Sequence, residues 1–216
     1  ADCKSKLYYL CLLSKMEYNE LSQNYELLKK FPSYLSNYSK EEREFLILPN
    51  LLYYLKEESL INPLVPSLFI LCEQNENQIN FEEKIWPKYK ILFTMKQLPA
   101  ATLYTTLKKL PFLINNLSQS EFNMHCIPLI CKALDCGIEK IQEVVLNVIE
   151  EILTKLDKNE FQSKIYSRYI LIITQTKSQS LKKKIMNSLL NLCDYFDSYV
   201  INNNFLDDIE KIIKFE

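Results

Sequence analysis

Three phenylalanines set the frame of this chain: Phe81, Phe122 and Phe161 each open an amphipathic stretch, 41 and 39 residues apart. Six residues beyond them stand Pro87, Pro128 and Ser167, and Pro49 precedes Pro87 by 38 residues in the same register. A recurrence near forty residues marks one supersecondary unit used again and again, each copy too small to bury its apolar face alone. The unit reads as helical. From Ile138 the apolar positions run through Ile141, Val145, Val148, Ile149, Ile152 and Leu156, one stripe at the 3.6-residue period. A second stripe runs from Leu181 through Ile185, Leu189, Leu192, Cys193 and Phe196. No long segment alternates apolar with polar residues, and no Asn-Gly or Asp-Gly hairpin turn occurs.

Start and stop signals agree. Ser39 with Glu42 and Ser118 with Glu121 have capping-box spacing, and Asp157 with Glu160 is a looser version. Gly137 follows an apolar helix, where a left-handed C′ position favours glycine. The pairing predicted is 41–56 with 60–73, 81–95 with 99–117, 121–135 with 138–157, and 160–175 with 178–197. A further pair begins the chain and residues 203–215 close it. Two helices per forty residues is the signature of HEAT-type arrays. The expectation is therefore an all-α fold, a HEAT-repeat α-solenoid of about five antiparallel helix pairs. Residues 1–216 read as a single domain without an internal linker, the hydrophilic stretch Glu73–Asn80 being a turn. Proline within a helix removes a donor and crowds the carbonyl four residues back, that of Glu83 for Pro87 and of Leu107 for Pro111. Kinks are expected there, and a kink repeated in every unit would set the curvature of the stack.

Composition narrows the chemistry. Gly137 is the single glycine, where an average chain of this length carries roughly fifteen. Phosphate-cradling loops, dinucleotide turns and nucleophile elbows need several, so none can be built here. The single histidine, His125, excludes most triads and histidine-based metal sites. Lys plus Arg number 26 against 27 Asp plus Glu, a balance unlike that of a bulk polyanion binder. An enzyme, a cofactor and a bound metal are thus not expected. Seven cysteines, an odd number scattered among apolar residues, fit a reducing compartment rather than a disulfide framework. Lys4 and Lys6 before the apolar run Leu7–Leu13 mimic a signal peptide, but the run is short and reads better as an amphipathic helix. The uncharged stretch Ser59–Cys72 is too short to span a bilayer. A cytoplasmic protein is expected, and a start at Ala1 rather than methionine suggests a piece of a longer chain.

Candidate sites are few. His125, Cys126, Cys131 and Cys136 form the one metal-like cluster, but steps of five residues turn a helix by about 140°, so the cysteines diverge and read as structural. Between Lys158 and Lys184 seven basic residues face one acid, Glu160. Lys164, Arg168, Lys182, Lys183 and Lys184, with Lys177 nearby, are the candidate partner-binding residues. They suit RNA phosphates or anionic lipid, although a solvated helix face has the same composition. Ile212–Glu216 loosely resembles a clathrin-box peptide and equally continues an amphipathic helix from Phe205. Trp86 beside Ile85 reads as packing within a helix pair rather than as an exposed anchor. Glu150-Glu151 and Asp207-Asp208 diverge on a helix and read as solvated faces.

The residues also resemble a known family. Phe81-Glu-Glu-Lys-Ile-Trp-Pro-Lys-Tyr-Lys-Ile-Leu-Phe93 with Lys96-Gln97-Leu98-Pro99 is similar to the HEAT region of the SCY-like pseudokinases. Ile127-Pro-Leu-Ile-Cys-Lys-Ala-Leu134 with Ile141-Gln142-Glu143 resembles its next repeat, and Ser178–Lys182 with Leu189–Asp197 the one after. Phe31-Pro32, Ile47-Leu48-Pro49 and Asn62-Pro63-Leu64-Val65-Pro66 are similar to the earlier repeats in order. The resemblance covers about residues 25 to 210 and looks most like the coated-vesicle-associated branch. Ser167 in place of the repeated proline and the extra Lys183-Lys184 depart from the pattern. The resemblance implies a protein with an N-terminal kinase-like domain, absent from these 216 residues, followed by a HEAT scaffold. Such scaffolds associate with clathrin, its adaptors or Golgi coat proteins, reaching Golgi, endosomal or coated-vesicle membranes peripherally through partners. The expected function is therefore a coat- or adaptor-binding scaffold in vesicle traffic, while some members are linked to tRNA export. A tRNA-binding adaptor using the basic face is the alternative.

Overall fold

The structure, a computed structural model, describes residues 3–73, 81–95, 98–192, 207, 208 and 210. Every regular element among them is helical. The chain divides into two compact units, Ala1–Phe112 and Leu113–Glu216. In the first, helix Leu21–Lys30 packs on Glu58–Glu73, which packs in turn on Ala100–Leu107. In the second, Ile127–Asp135 packs on Glu139–Ile152 and Ser167–Gln175 on Gln179–Asn191. Neighbouring pairs of this unit then stack like on like. Ile127–Asp135 meets Ser167–Gln175, and Glu139–Ile152 meets Gln179–Asn191. This is a helical repeat, as the periodicity predicts.

The stripes are what the stacking buries. Ile141, Val145, Val148, Ile149, Ile152 and Leu156 are buried, as are Leu181, Ile185, Leu189 and Leu192. Ile138 is the exception at 45% exposure. Its extended backbone (φ −96°, ψ 105°) makes it the residue before the helix, off the 3.6-residue face that follows. Gly137 adopts φ +69°, the left-handed conformation predicted for it. The caps form too: Ser39 Oγ accepts from Glu42 N–H at 3.2 Å while Glu42 Oε2 accepts from Ser39 N–H at 2.8 Å. Ser118, Asp157 and Ser178 each accept from the backbone three residues on.

The prolines fall beside local changes of helical register. Among the described residues four turns have π-helical register, Arg43–Ile47, Phe81–Ile85, Phe122–Cys126 and Phe161–Tyr166. Each begins six residues before Pro49, Pro87, Pro128 or Ser167. The prolines therefore fall just after a π turn within continuous helical runs, at the start of the α-helical part in Leu48–Tyr53, Trp86–Tyr89 and Ile127–Asp135. There the missing N–H costs little, because the wider preceding turn already departs from the i→i−4 ladder. Ser167 shows that the π turn belongs to the repeat rather than to the proline. Pro111 likewise sits second in helix Leu110–Asn116, so the predicted 99–117 helix is two helices, the first ending at Leu107. Pro63 and Pro66 lie inside the α-helix Glu58–Glu73.

Trp86 is 1% exposed, with Phe93 at 5.1 Å and Phe81 and Tyr89 at 6.2 Å between ring centroids. It is packing, as its place beside Ile85 suggests. Cys193 and Phe196 of the second stripe, most of the Glu73–Asn80 turn, Lys96-Gln97 and nearly all of the closing 203–215 segment lie outside the described residues.

Candidate functional site

The basic candidates sit on three consecutive elements of the second unit, the turn Phe161–Tyr166 and the helices Ser167–Gln175 and Gln179–Asn191. Ser178 Oγ accepts from Leu181 N–H at 3.3 Å and starts helix Gln179–Asn191. With Leu181, Ile185 and Leu189 buried, Lys182, Lys183 and Lys184 are turned outward. Lys184 leans toward the preceding repeat, its Nζ 2.6 Å from Glu143 Oε1. Along the same seam Ser178 Oγ donates to Glu139, and Asn191 Nδ2 donates to Glu150 Oε1 at 3.4 Å. Lys164, in the turn Phe161–Tyr166, lies 2.6 Å from Glu160. Arg168 Nε donates to both oxygens of Asp135, at 2.9 and 3.0 Å.

Three of the five candidates thus face carboxylates, two of which, Asp135 and Glu143, come from the preceding repeat. A charge tally over 158–184 misses them because they lie 33 and 41 positions upstream. Lys182 and Lys183 have no ion pair among the described residues, and Lys183 and Lys177 are exposed. Unpaired ammonium groups are the ones whose field reaches a ligand.

The metal-like cluster does not converge. Cys126 is buried, with its thiol pushed up by burial and by the Glu121 carboxylate. Cys131 Sγ donates to the Lys164 carbonyl at 3.7 Å, and its thiol too is raised, chiefly by burial. Cys136 is half-buried, its Sγ accepting from Ile138 N–H at 3.4 Å. His125 Nε2 lies 3.5 Å from Glu121. Among the described residues no three His, Cys, Asp or Glu side chains are placed to hold a metal. Glu150 engages Asn191, and Asp208 accepts from Tyr166 Oη at 3.0 Å, so both have structural partners. Ile212–Glu216 lies outside the described residues.

Two features escaped the sequence reading. Leu190 is 59% exposed, and Leu171 borders a cavity of about 430 Å³ with Leu134, Gln142, Ile172 and Thr176. Leu190 was findable in principle, since it falls off the stripe of Leu181, Ile185 and Leu189. The cavity was not, because it forms between helices of different repeats.

No protein-family model matches the chain. Over 190 residues it is 20% identical to SCY1-like protein 2 from Homo sapiens and from Mus musculus, covering 88% of this chain and 20% of each relative. The chain is distantly similar to SCY1-like protein 2. It spans about a fifth of the length of these curated relatives. Among solved structures it resembles that of Cex1p, with a TM-score of 0.55 at 15% identity over 94% of this chain and 48% of the other. The likeness shows the fold, a helical repeat. Of the described helices none is long and apolar enough to cross a membrane.

Proposed function

We propose that this chain is a non-catalytic docking scaffold of a SCY-like pseudokinase, binding clathrin or coat adaptors in vesicle traffic. The similarity to SCY1-like protein 2 along 88% of the chain carries the reading. Stacked helices supply what docking needs, a rigid surface whose outward positions vary freely while the buried stripes hold the frame. Membrane association is then peripheral, through the bound coat. The test is capture of purified clathrin and adaptor subunits by the immobilised chain, repeated with charge reversals in each repeat. Selective capture that one repeat's reversals abolish supports the reading, and no capture of any coat subunit overturns it. Turnover of a phosphotransfer substrate by this chain would overturn the non-catalytic part.

Half-buried Lys182 and exposed Lys183, without carboxylate partners among the described residues, favour a second reading, a tRNA-binding adaptor. Salt-sensitive tRNA binding lost on Lys182→Glu with Lys183→Glu supports it. Binding unaffected by that pair sinks it.

A further inference from the structure

We propose that the cavity between the last turns of helices Ile127–Asp135 and Ser167–Gln175 holds a basic side chain, an arginine or lysine carried by a partner peptide. Its volume of about 430 Å³ is that of a ligand site. Both walls belong to described, consecutive repeats, so the cavity lies within the stack rather than on a face that a further repeat would cover. One wall carries a buried acceptor that lacks a donor. Gln142 is 7% exposed, its Nε2 donates to the Leu134 carbonyl at 2.8 Å, and no described group donates to its Oε1. The repeat itself does not call for an amide there. Counted from the start of each second helix, the same position is Ile61, Leu103 or Lys182, and the first two are buried.

Asp135 borders the same cavity from a place that disfavours a carboxylate, the last residue of its helix, where the backbone dipole is negative. Its counterparts in the proline register are Lys56, Thr94 and Thr174. Helix Ser167–Gln175 ends on the cavity as well, so two negative helix ends, a carboxylate and an amide oxygen converge. Two unfavourable placements peculiar to one repeat mark a site rather than a frame. Arg168, from the following repeat, donates through Nε to both Asp135 oxygens and shows the kind of group this carboxylate accepts. Leu171, 49% exposed, and buried Leu134 and Ile172 offer the apolar surface along which an aliphatic stem lies. A polyanion would face the carboxylate and both negative ends. The inference rests on the protein-docking reading above and names the chemistry of the partner.

Gly137 also lines the cavity and is the single glycine, so the intact chain made with isotope-labelled glycine gives one amide NMR signal, read at the site itself. It is titrated with the peptide acetyl-Ser-Leu-Arg-Leu-Ser-amide and with counterparts carrying citrulline or glutamate in place of the arginine. The expected result is a saturable shift with the arginine peptide, at least about fivefold weaker binding of the neutral citrulline peptide, and none of the glutamate peptide. Gln142→Leu, which restores the residue class of Ile61 and Leu103, should weaken the arginine peptide about tenfold, with unchanged far-UV circular dichroism. Arg168→Gln should tighten it about threefold, because Asp135 is then released to the ligand. A purely structural tie between Arg168 and Asp135 predicts the opposite. Equal binding of the arginine and citrulline peptides, indifference to Gln142→Leu, or weaker binding by Arg168→Gln overturns the proposal. So does N-acetylarginine amide binding as tightly as the peptide, since the site would then take a free small molecule. Coat-protein capture that survives without any peptide binding sinks this inference alone. Failure of the wild-type chain in both assays removes the docking reading with it.

Discussion

The ammonium of Lys184 sits 2.6 Å from a carboxylate oxygen of Glu143, a residue 41 positions earlier. Other side chains reach back over similar intervals. Asn191 reaches Glu150 across 41 positions, Lys109 reaches Glu73 across 36, and Tyr53 reaches Glu17 across 36. These ties therefore run to the preceding repeat.

Because Lys184 and Glu143 are both partly solvated, their tie is weak. A double-mutant cycle of Lys184→Ala and Glu143→Ala in urea should give a coupling of about 0.2–1 kcal/mol, vanishing in molar salt. A coupling of several kcal/mol would mean that the seam, not the apolar stripe, holds these repeats together.

Ser167 occupies the site filled by proline in three other repeats. It has φ −57°, and Tyr166 before it has φ −55° and ψ −48°, close to Ile127 (φ −61°, ψ −47°) before Pro128. Ser167→Pro fits this backbone but forfeits the bond that Ser167 N–H donates to the Ile165 carbonyl, so it should cost about 0.5–1.5 kcal/mol. Asn147→Pro, on the exposed side of helix Glu139–Ile152, should cost about 3 kcal/mol or more. Equal losses in the two urea titrations would refute the idea that the π turn prepares the proline site.

Thiol reactivity separates the cysteines. Cys11 is exposed, whereas burial and then the nearby Glu73 carboxylate push Cys72 up to about 12, and Cys126 is raised further by burial and Glu121. At pH 8 the folded chain should label at Cys11 within minutes, with Cys72 and Cys126 labelling only in denaturant. Mass spectrometry of the tryptic peptides reads this directly, and rapid native labelling of Cys126 would contradict its burial.

Tyr38 is 2% exposed and its hydroxyl donates to the Lys6 carbonyl at 3.1 Å. Burial first, and the Glu42 carboxylate second, raise its pKa from 10.0 to about 12. A raised acid is neutral in the folded chain, so its contribution to stability is whole below pH 10 and fades as the pH climbs toward 12. Absorbance at 295 nm should show part of the tyrosines ionising late, and Tyr38→Phe should remove part of that late phase. An unchanged titration would place Tyr38 in water.

How far the sequence reaches depends on the distance over which each feature is encoded. The register of Phe81, Phe122 and Phe161 is local and repeated, so helices, caps and the conformation of Gly137 were legible. The π turns were not, because the propensities of Phe122–Cys126 do not separate π from α. The basic face was legible only as a list of residues. Which lysines keep their charge free depends on Asp135 and Glu143 arriving from the previous repeat, and no window around Lys164 or Lys182 contains them. Ile138 erred for the opposite reason, by assigning one residue too many to a regular pattern.

Contacts that reach back about forty positions also have a meaning in time. A ribosome adds roughly 5–20 residues per second, so about forty residues emerge in about 2–8 s. Within a unit, each new helix pair finds the surface it stacks on already synthesised one repeat earlier. Assembly can keep pace with translation, exposing at any moment little more than the apolar stripe of the newest pair.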